Sequence, residues 1–175
     1  MIQQVSREAL PDVLQPGLKV VFCGTAAGHK SARVGAYYAG PGNAFWPTLY
    51  AVGVTPRPLA PLEFRTVVRY GIGLTDLNKH ESGMDADLSA TGFDPASLHA
   101  KIARFQPRVL AFTSKRAAQE FTGQRVAYGR QPGALGKTAI FVLPSPSGAA
   151  RRWWDVTFWQ AVADFVNAGG QGDGR

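Results

Sequence analysis

The chain has 175 residues, 45% of them hydrophobic, which suits one domain around one packed core. Its formal net charge of +7 favours an anionic partner, nucleic acid being the commonest case. No apolar run approaches a membrane span, the first residues lack the layout of a signal peptide, and a single cysteine, Cys23, excludes an internal disulfide and a cysteine-held metal. The expectation is a soluble, cytoplasmic monomer that uses no cofactor and no metal.

In chain order, Leu18 to Cys23 reads as a buried strand ending at Gly24. Cys23 itself reads as a small buried apolar residue. Asn43 to Val52 reads as a helix with Phe45, Trp46, Leu49 and Tyr50 on one face, and Pro61 to Tyr70 as another short helix. Gly71 to Leu74 is a brief apolar stretch that Thr75-Asp76 breaks. Ala96 to Phe105 has helical spacing, Arg108 to Thr113 is a strand, and Lys115 to Phe121 is a helix. Thr138 to Leu143 is a further strand, Trp153 to Val166 the final helix, and the glycine-rich tail from Ala168 frays. Helices alternating with short all-apolar strands imply a three-layer α/β/α sandwich on a mainly parallel sheet of about four strands. Ligands of such sheets sit beyond the carboxyl ends of the strands, here Gly24 to Tyr38, Thr75-Asp76 and Pro144 to Arg152.

Each of these segments has a bland reading beside a functional one. Gly24-Thr25-Ala26-Ala27-Gly28 is either an ordinary strand-to-loop turn or a set of backbone amides able to hold an anion. It is no Walker A loop, because Lys-Ser does not follow Gly28 at the required spacing. Tyr37 and Tyr38, before the turn Gly40-Pro41-Gly42, either pack or offer a ring to a flat ligand. Asn43 caps a helix by default. Asp76 is a turn residue or a general base and water holder, whereas Glu81, Asp85 and Asp87 read as solvated. The run Leu143-Pro144-Ser145-Pro146-Ser147-Gly148-Ala149-Ala150-Arg151-Arg152 is a surface turn or a loop that presses on a DNA backbone. Arg125, Arg130, Lys137, Arg151 and Arg152 lie near glycines and prolines, and Lys30 and Arg33 follow the first turn, so loop-borne cations suited to phosphates are expected.

Taken together, the order and spacing of these segments resemble the uracil-DNA glycosylase superfamily, and within it the mismatch-specific uracil and thymine-DNA glycosylase branch. That branch joins a Gly-Ile-Asn-Pro-Gly loop at fixed distance to Gly-Pro-Gly-Asn-x-Phe-Trp, and Gly24 to Gly28 and Gly40 to Trp46 keep the spacing without a gap. Gly71-Ile72-Gly73-Leu74-Thr75-Asp76 resembles the family's Gly-Ile-Gly-Phe-Thr-Asn, Gln106-Pro107-Arg108 leads into an apolar strand as in the family, and Leu143 to Gly148 resembles its second catalytic loop. The likeness runs from Leu18 to about Phe165.

The resemblance implies roles. The backbone at Thr25, Ala26 and Ala27 would contact a flipped base and stabilise its departing anion. Tyr38 stands where the family stacks an aromatic ring on that base, Ser31 at the pocket wall facing its C5 position, and Asn43 at the polar contact to its edge. Ser145, Ser147, Gly148, Ala149, Arg151 and Arg152 would form the loop that enters uracil-containing DNA.

Two departures bear on the chemistry. Ala26 stands where the nearest branch has its water-activating Asn, and Leu143 where the main uracil glycosylases have His. Asp76, where the nearest branch has Asn, is the remaining catalytic candidate: a carboxylate can orient a water and counter the positive charge that cleavage builds on the sugar. No lysine stands where a Schiff base is expected; Lys30 and Lys79 are the nearest, and both are expected to meet solvent or phosphate. A monofunctional glycosylase is thus the leading reading. A catalytically weak binder of damaged DNA and a hydrolase of free nucleosides stand beside it.

Overall fold

The computed structural model describes residues 7–169. Its centre is a sheet of five strands, β1 (Val20–Gly24), β2 (Ile72–Asp76), β3 (Val109–Phe112), β4 (Gly129–Leu135) and β5 (Thr138–Val142), in the order β2-β1-β3-β5-β4. All but β4 run parallel, and β4 pairs antiparallel with β5 at the edge. Every residue of β1, β2, β3 and β5 is buried. This explains their unbroken apolar runs, since parallel strands are covered on both faces.

Among the described residues five α-helices flank the sheet: α1 (His29–Val34), α2 (Phe45–Ala51), α3 (Pro95–Phe105), α4 (Lys115–Thr122) and α5 (Val156–Ala168). One face of the sheet is covered by Phe45, Phe64, Trp159 and Val162, the other by Leu98, Ile102 and Phe121, giving two apolar layers and the α/β/α architecture. Among the described residues, no helix is long and apolar enough to cross a membrane.

Several elements differ from the sequence expectation. β4 was not foreseen, so the sheet has five strands rather than about four. Its sequence, Gly129 to Leu135, carries glycine and proline, and its register shifts between Arg130 and Ala134. Only an edge strand tolerates that composition. Arg130 therefore lies on a strand rather than a loop, its guanidinium 4.9 Å from the Phe165 ring centroid. The six-residue α1 was also unforeseen, being bounded by Gly28 and Gly35 within a segment that reads as loop. β2 does not stop at Leu74 but carries Thr75 and Asp76 as its last paired residues. Pro61 to Tyr70 is a 3₁₀ helix. The final helix starts at Val156, not Trp153: Asp155 accepts from the Thr157 N–H at 2.9 Å and caps it, while Trp153 ends a 3₁₀ turn over Gly148–Trp153. Ala168 closes α5, and the tail from residue 170 on lies outside the described residues.

Trp159 of α5 links the core to the second loop. Its ring stacks on Phe22 at 5.7 Å, and its indole N–H donates to the Pro144 carbonyl at 3.1 Å. Trp159→Phe should remove that donor and leave a buried acceptor unmatched, costing about 1–3 kcal/mol of stability. Urea denaturation would read this as a lower midpoint at unchanged slope.

Candidate active site

Parallel register brings the strand ends to one rim. Gly24 aligns with Asp76 across β1 and β2, Cys23 with Phe112 across β1 and β3, and Phe112 with Val142 across β3 and β5. A cavity of about 640 Å³ opens above that rim.

The first loop forms its floor. Thr25, Ala26 and Ala27 all line the cavity. Two of their carbonyls are engaged by the segment after β2: Thr25 O accepts from the Asn78 N–H at 2.8 Å and Ala27 O from the Gly83 N–H at 2.9 Å. Ala27 also forms a parallel bridge with Ser82, whereas among the described residues no backbone carbonyl accepts from the N–H groups of Thr25 or Ala26. The loop is thus held by its acceptors, which leaves the Thr25 and Ala26 donors without a backbone partner at a cavity they line.

Asp76 lies beside this loop. It is 6% exposed, yet it lines the cavity and accepts no hydrogen bond from any described group. A Cβ added to Gly24 would stand 2.7 Å from Asp76 Oδ1, and 3.5 Å from both the Thr113 and the Tyr38 hydroxyl oxygens. These three polar tips therefore converge on the Gly24 Cα, an approach that glycine permits. Burial pushes the Asp76 carboxyl up to about 6; Lys79 and Lys101 pull it back down, and Asp12 pushes it further up. A carboxylate poised there, without a donor of its own, has the features of a general base or water holder.

Tyr38 also lines the cavity. One face of its ring stacks on Phe45 at 3.8 Å and 18°, and its hydroxyl meets Thr113 Oγ1 at 3.1 Å. Its φ of 52° is a left-handed conformation that a tyrosine adopts only under constraint, so the stack and the hydroxyl contact over-determine its placement. Ser31 is buried on α1, lines the cavity, and accepts from the Ala39 N–H at 2.9 Å. Asn43 lines it as well, while its Oδ1 accepts from the Phe45 N–H at 2.9 Å at the start of α2.

The second loop closes the opposite wall. Ser145, Ser147 and Ala149 line the cavity, and the Pro146 carbonyl accepts from the Ala44 N–H at 2.8 Å. Gly148 packs so closely on the Gly40 to Gly42 turn that a Cβ there would stand 2.8 Å from the Pro41 carbonyl oxygen. Arg151 and Arg152 do not line the cavity. Arg151 Nη2 stands 2.6 Å from where a Gly42 Cβ would be, so this arginine lies over the turn. The Arg152 guanidinium is 5.5 Å from the Trp153 ring centroid, and Trp153 is 59% exposed. Beyond α1 a second groove adjoins the cavity, sharing Leu10 and Arg33 with it and presenting Arg7, Arg65 and His80.

The family model of the uracil DNA glycosylase superfamily matches residues 11–166. The chain belongs to that superfamily. Its fold is similar to the solution NMR structure of a protein from Methanosarcina acetivorans provisionally designated a uracil DNA glycosylase, with a TM-score of 0.63 and 23% identity over 93% of this chain and 98% of that one.

Several residues of the site escaped sequence reasoning. Thr113 and Ser114, at the end of β3, line the cavity. The strand-end rule that singled out the other loops applies to them equally and would have found them. Leu10, Met84 and Asp85 line it too. Asp85, though exposed, accepts from the Thr25 hydroxyl at 2.8 Å, and Glu81 accepts from Asn78 and Ser89, so neither is merely solvated. Lys30 is exposed at the cavity wall. Lys79 departs from expectation: it is only 8% exposed, with its amine on Asp12 Oδ1 at 2.8 Å rather than in solvent.

The Asp76 carboxyl is pushed up from 3.8 to about 6 in the folded state. Its ionised form therefore destabilises the fold at neutral pH by about 3 kcal/mol, and the favourable contribution of the neutral form is complete below 3.8 and lost as pH rises through 6. Asp76→Asn should accordingly be more stable than the wild type at pH 8, and the gain should shrink as pH falls from 6 towards 4. Chemical denaturation at the two pH values measures this; a gain independent of pH would remove the ionisation of Asp76 as its cause.

Proposed function

We propose that this chain is a monofunctional DNA glycosylase, acting as a single-domain monomer, that flips uracil out of DNA and hydrolyses its N-glycosidic bond, and that it stands closest to the mismatch-specific branch of its superfamily. Membership of the superfamily supports the reaction class. The observation that carries the mechanism is the buried Asp76 carboxylate, free of protein donors, in a cavity that the first loop also lines.

In this reading the base enters the cavity and lies against the Tyr38 face that Phe45 leaves open. Asn43 and the first loop meet its polar edge, and Ser31 stands at the wall. The C1′–N bond breaks with its electron pair going to the base, and the amides of Thr25, Ala26 and Ala27 stabilise the resulting anion. Positive charge gathers on the sugar, where Asp76 counters it and orients a water. The water oxygen then bonds to C1′, and its proton passes to the carboxylate. Asp76 thus takes the work that Ala26 and Leu143 have no side-chain chemistry to perform.

A labelled oligonucleotide containing one uracil, incubated with the protein in the presence of chelator and then treated with alkali, tests the proposal. An abasic-site break should appear with the wild type. Asp76→Ala should lower the single-turnover rate by roughly 10²–10⁴-fold. Wild-type activity should fall as pH drops through about 6, because protonation removes the carboxylate. Tight binding of uracil-containing DNA with no product from any uracil substrate would instead mark the chain as a binder of damaged DNA.

Arg151 lies over the Gly42 turn, Arg152 follows it in the same loop against Trp153, and Arg7, Arg33 and Arg65 line the adjoining groove. These cations suit a phosphate backbone. Replacing both Arg151 and Arg152 with alanine should weaken duplex binding and flatten the dependence of log Kd on log salt by about one to two units, each phosphate contact contributing about 0.9. An unchanged slope would take this loop off the DNA.

A further inference from the structure

Beside Asp76 in the chain, four segments bring their polar groups together, with Tyr37 among them at the cavity wall. Asp12, from the stretch before β1, takes the Lys79 amine on Oδ1 at 2.8 Å and the Lys101 amine of α3 on Oδ2 at 2.6 Å. The Thr75 hydroxyl of β2, one residue from Asp76, also donates to Asp12 Oδ1, at 2.6 Å. The Lys79 amine further donates to the Tyr37 hydroxyl at 3.2 Å and lies 5.7 Å from that ring's centroid, while Tyr37 in turn donates to the Pro11 carbonyl at 2.9 Å. Every group is held, and Lys79 is too deeply set to reach phosphate or solvent.

The charges in this cluster do not balance by themselves. Two lysines face one carboxylate, which leaves one positive charge in excess in a half-buried setting. A lone ion pair would have been neutral with one lysine fewer. Asp76 is the neighbouring buried carboxylate, and it has no donor of its own. Counted with it, Asp12, Lys79, Lys101 and Asp76 sum to zero. Burial of an unopposed charge is costly, so each half of this arrangement makes the other tolerable.

We propose that the Asp12–Lys79–Lys101 cluster, tied through Thr75 to the strand end that carries Asp76, is the electrostatic counterweight of that carboxylate, with Lys79 the positioning residue. The proposal rests on the reading of Asp76 given above. The groups around Asp76 leave this role to the cluster. Tyr38 and Thr113 present hydroxyls, and Cys23 and Tyr37 are buried; burial pushes the Cys23 thiol and both tyrosine hydroxyls up, so all stay neutral at physiological pH. On the cavity side His29, Lys30, Arg33 and Asp85 are exposed and screened by water. Asp12 is itself held below its ordinary value: burial raises it, but Lys79, Lys101 and Thr75 together outweigh burial, so it remains charged and works against Asp76.

The alternative is that the cluster only pins the segment before β1 to β2 and α3. The two roles part on sign. Lys79→Met and Asp12→Asn break the same ion pair, and a structural role predicts that both harm the protein alike. The counterweight role predicts opposite effects on Asp76. Loss of the lysine should move the Asp76 titration to higher pH, and loss of the aspartate should move it to lower pH, each on the order of 1 pH unit. Lys101→Met, at a more exposed position, should move it upward by less, and Lys79→Arg should restore the wild-type midpoint.

The titration is read in two ways on the full chain: from the carboxyl carbon shift of Asp76, assigned by its loss in Asp76→Asn, and from the acid limb of the single-turnover rate on a uracil oligonucleotide. Thermal melts show which variants fold; if Lys79→Met does not, Lys101→Met and Asp12→Asn still carry the opposed signs. Same-sign shifts or no shift would overturn the counterweight. The carbon measurement needs no activity, so a chain without glycosylase activity would fail the functional proposal while leaving this one decided on its own terms.

Discussion

The site is organised by the contact between the last residues of two neighbouring parallel strands. Gly24 and Asp76 stand opposite each other in register, and the Asp76 carboxylate occupies the space that any side chain at 24 would fill. This one approach determines where the first loop leaves the sheet and how close its amides come to a negative charge. It also sets the exposure of Asp76: close enough to the cavity to touch a ligand, too enclosed to be solvated as a surface carboxylate is. Its raised proton affinity follows from that enclosure. A group held this way needs little reorganisation when charge develops in front of it, which is the sense in which such sites are preorganised.

The segment after β2 completes the arrangement by division of labour. The N–H groups of Leu77, Asn78 and Gly83 reach back to the carbonyls of Gly24, Thr25 and Ala27, and Ser82 bridges Ala27 in parallel. Each bond satisfies an acceptor of the first loop. The same segment carries Lys79 inward to Asp12 and sets Asn78 and Glu81 into mutual contact, tight enough that Gly92 cannot carry a side chain without meeting both. Rigidity of the loop and electrostatics of the carboxylate thus come from one stretch of chain.

How much of this could be read from the residues depended on where the signal was local. The parallel strands were legible because burial on both faces leaves unbroken apolar runs such as Val20 to Cys23 and Val109 to Phe112. β4 was not, because Gly129, Pro132 and Gly133 speak against a strand and only its edge position permits one. The 3₁₀ turn that displaces the start of α5 was hidden by the apolar Trp153 and Trp154, although Asp155 followed by Thr157 is a capping signal that sequence reasoning passed over. Asp76 was legible as a residue but not as an environment. Its burial and its lysine counterparts depend on Asp12 and Lys101, which lie far from it in sequence and meet it only after folding.

The two loops that face the cavity are not independent either, because one aromatic column supports both. Trp159 of α5 meets Phe45 edge-on at 5.9 Å, and Phe45 stacks on Tyr38 at 3.8 Å. The same indole donates to the Pro144 carbonyl at the root of the second loop. A shift of Trp159 would therefore move the Tyr38 ring through Phe45 and the Ser145 to Ala149 wall through Pro144. Tyr38 can retain its left-handed backbone only while Phe45 and Thr113 hold it, so loosening the column would let that strain relax. Well-packed interiors transmit displacement rather than absorb it. The spacing between the ring on one side of the cavity and the serine-lined wall on the other is thus a property of the core, set about a helix that itself contributes no side chain to the cavity.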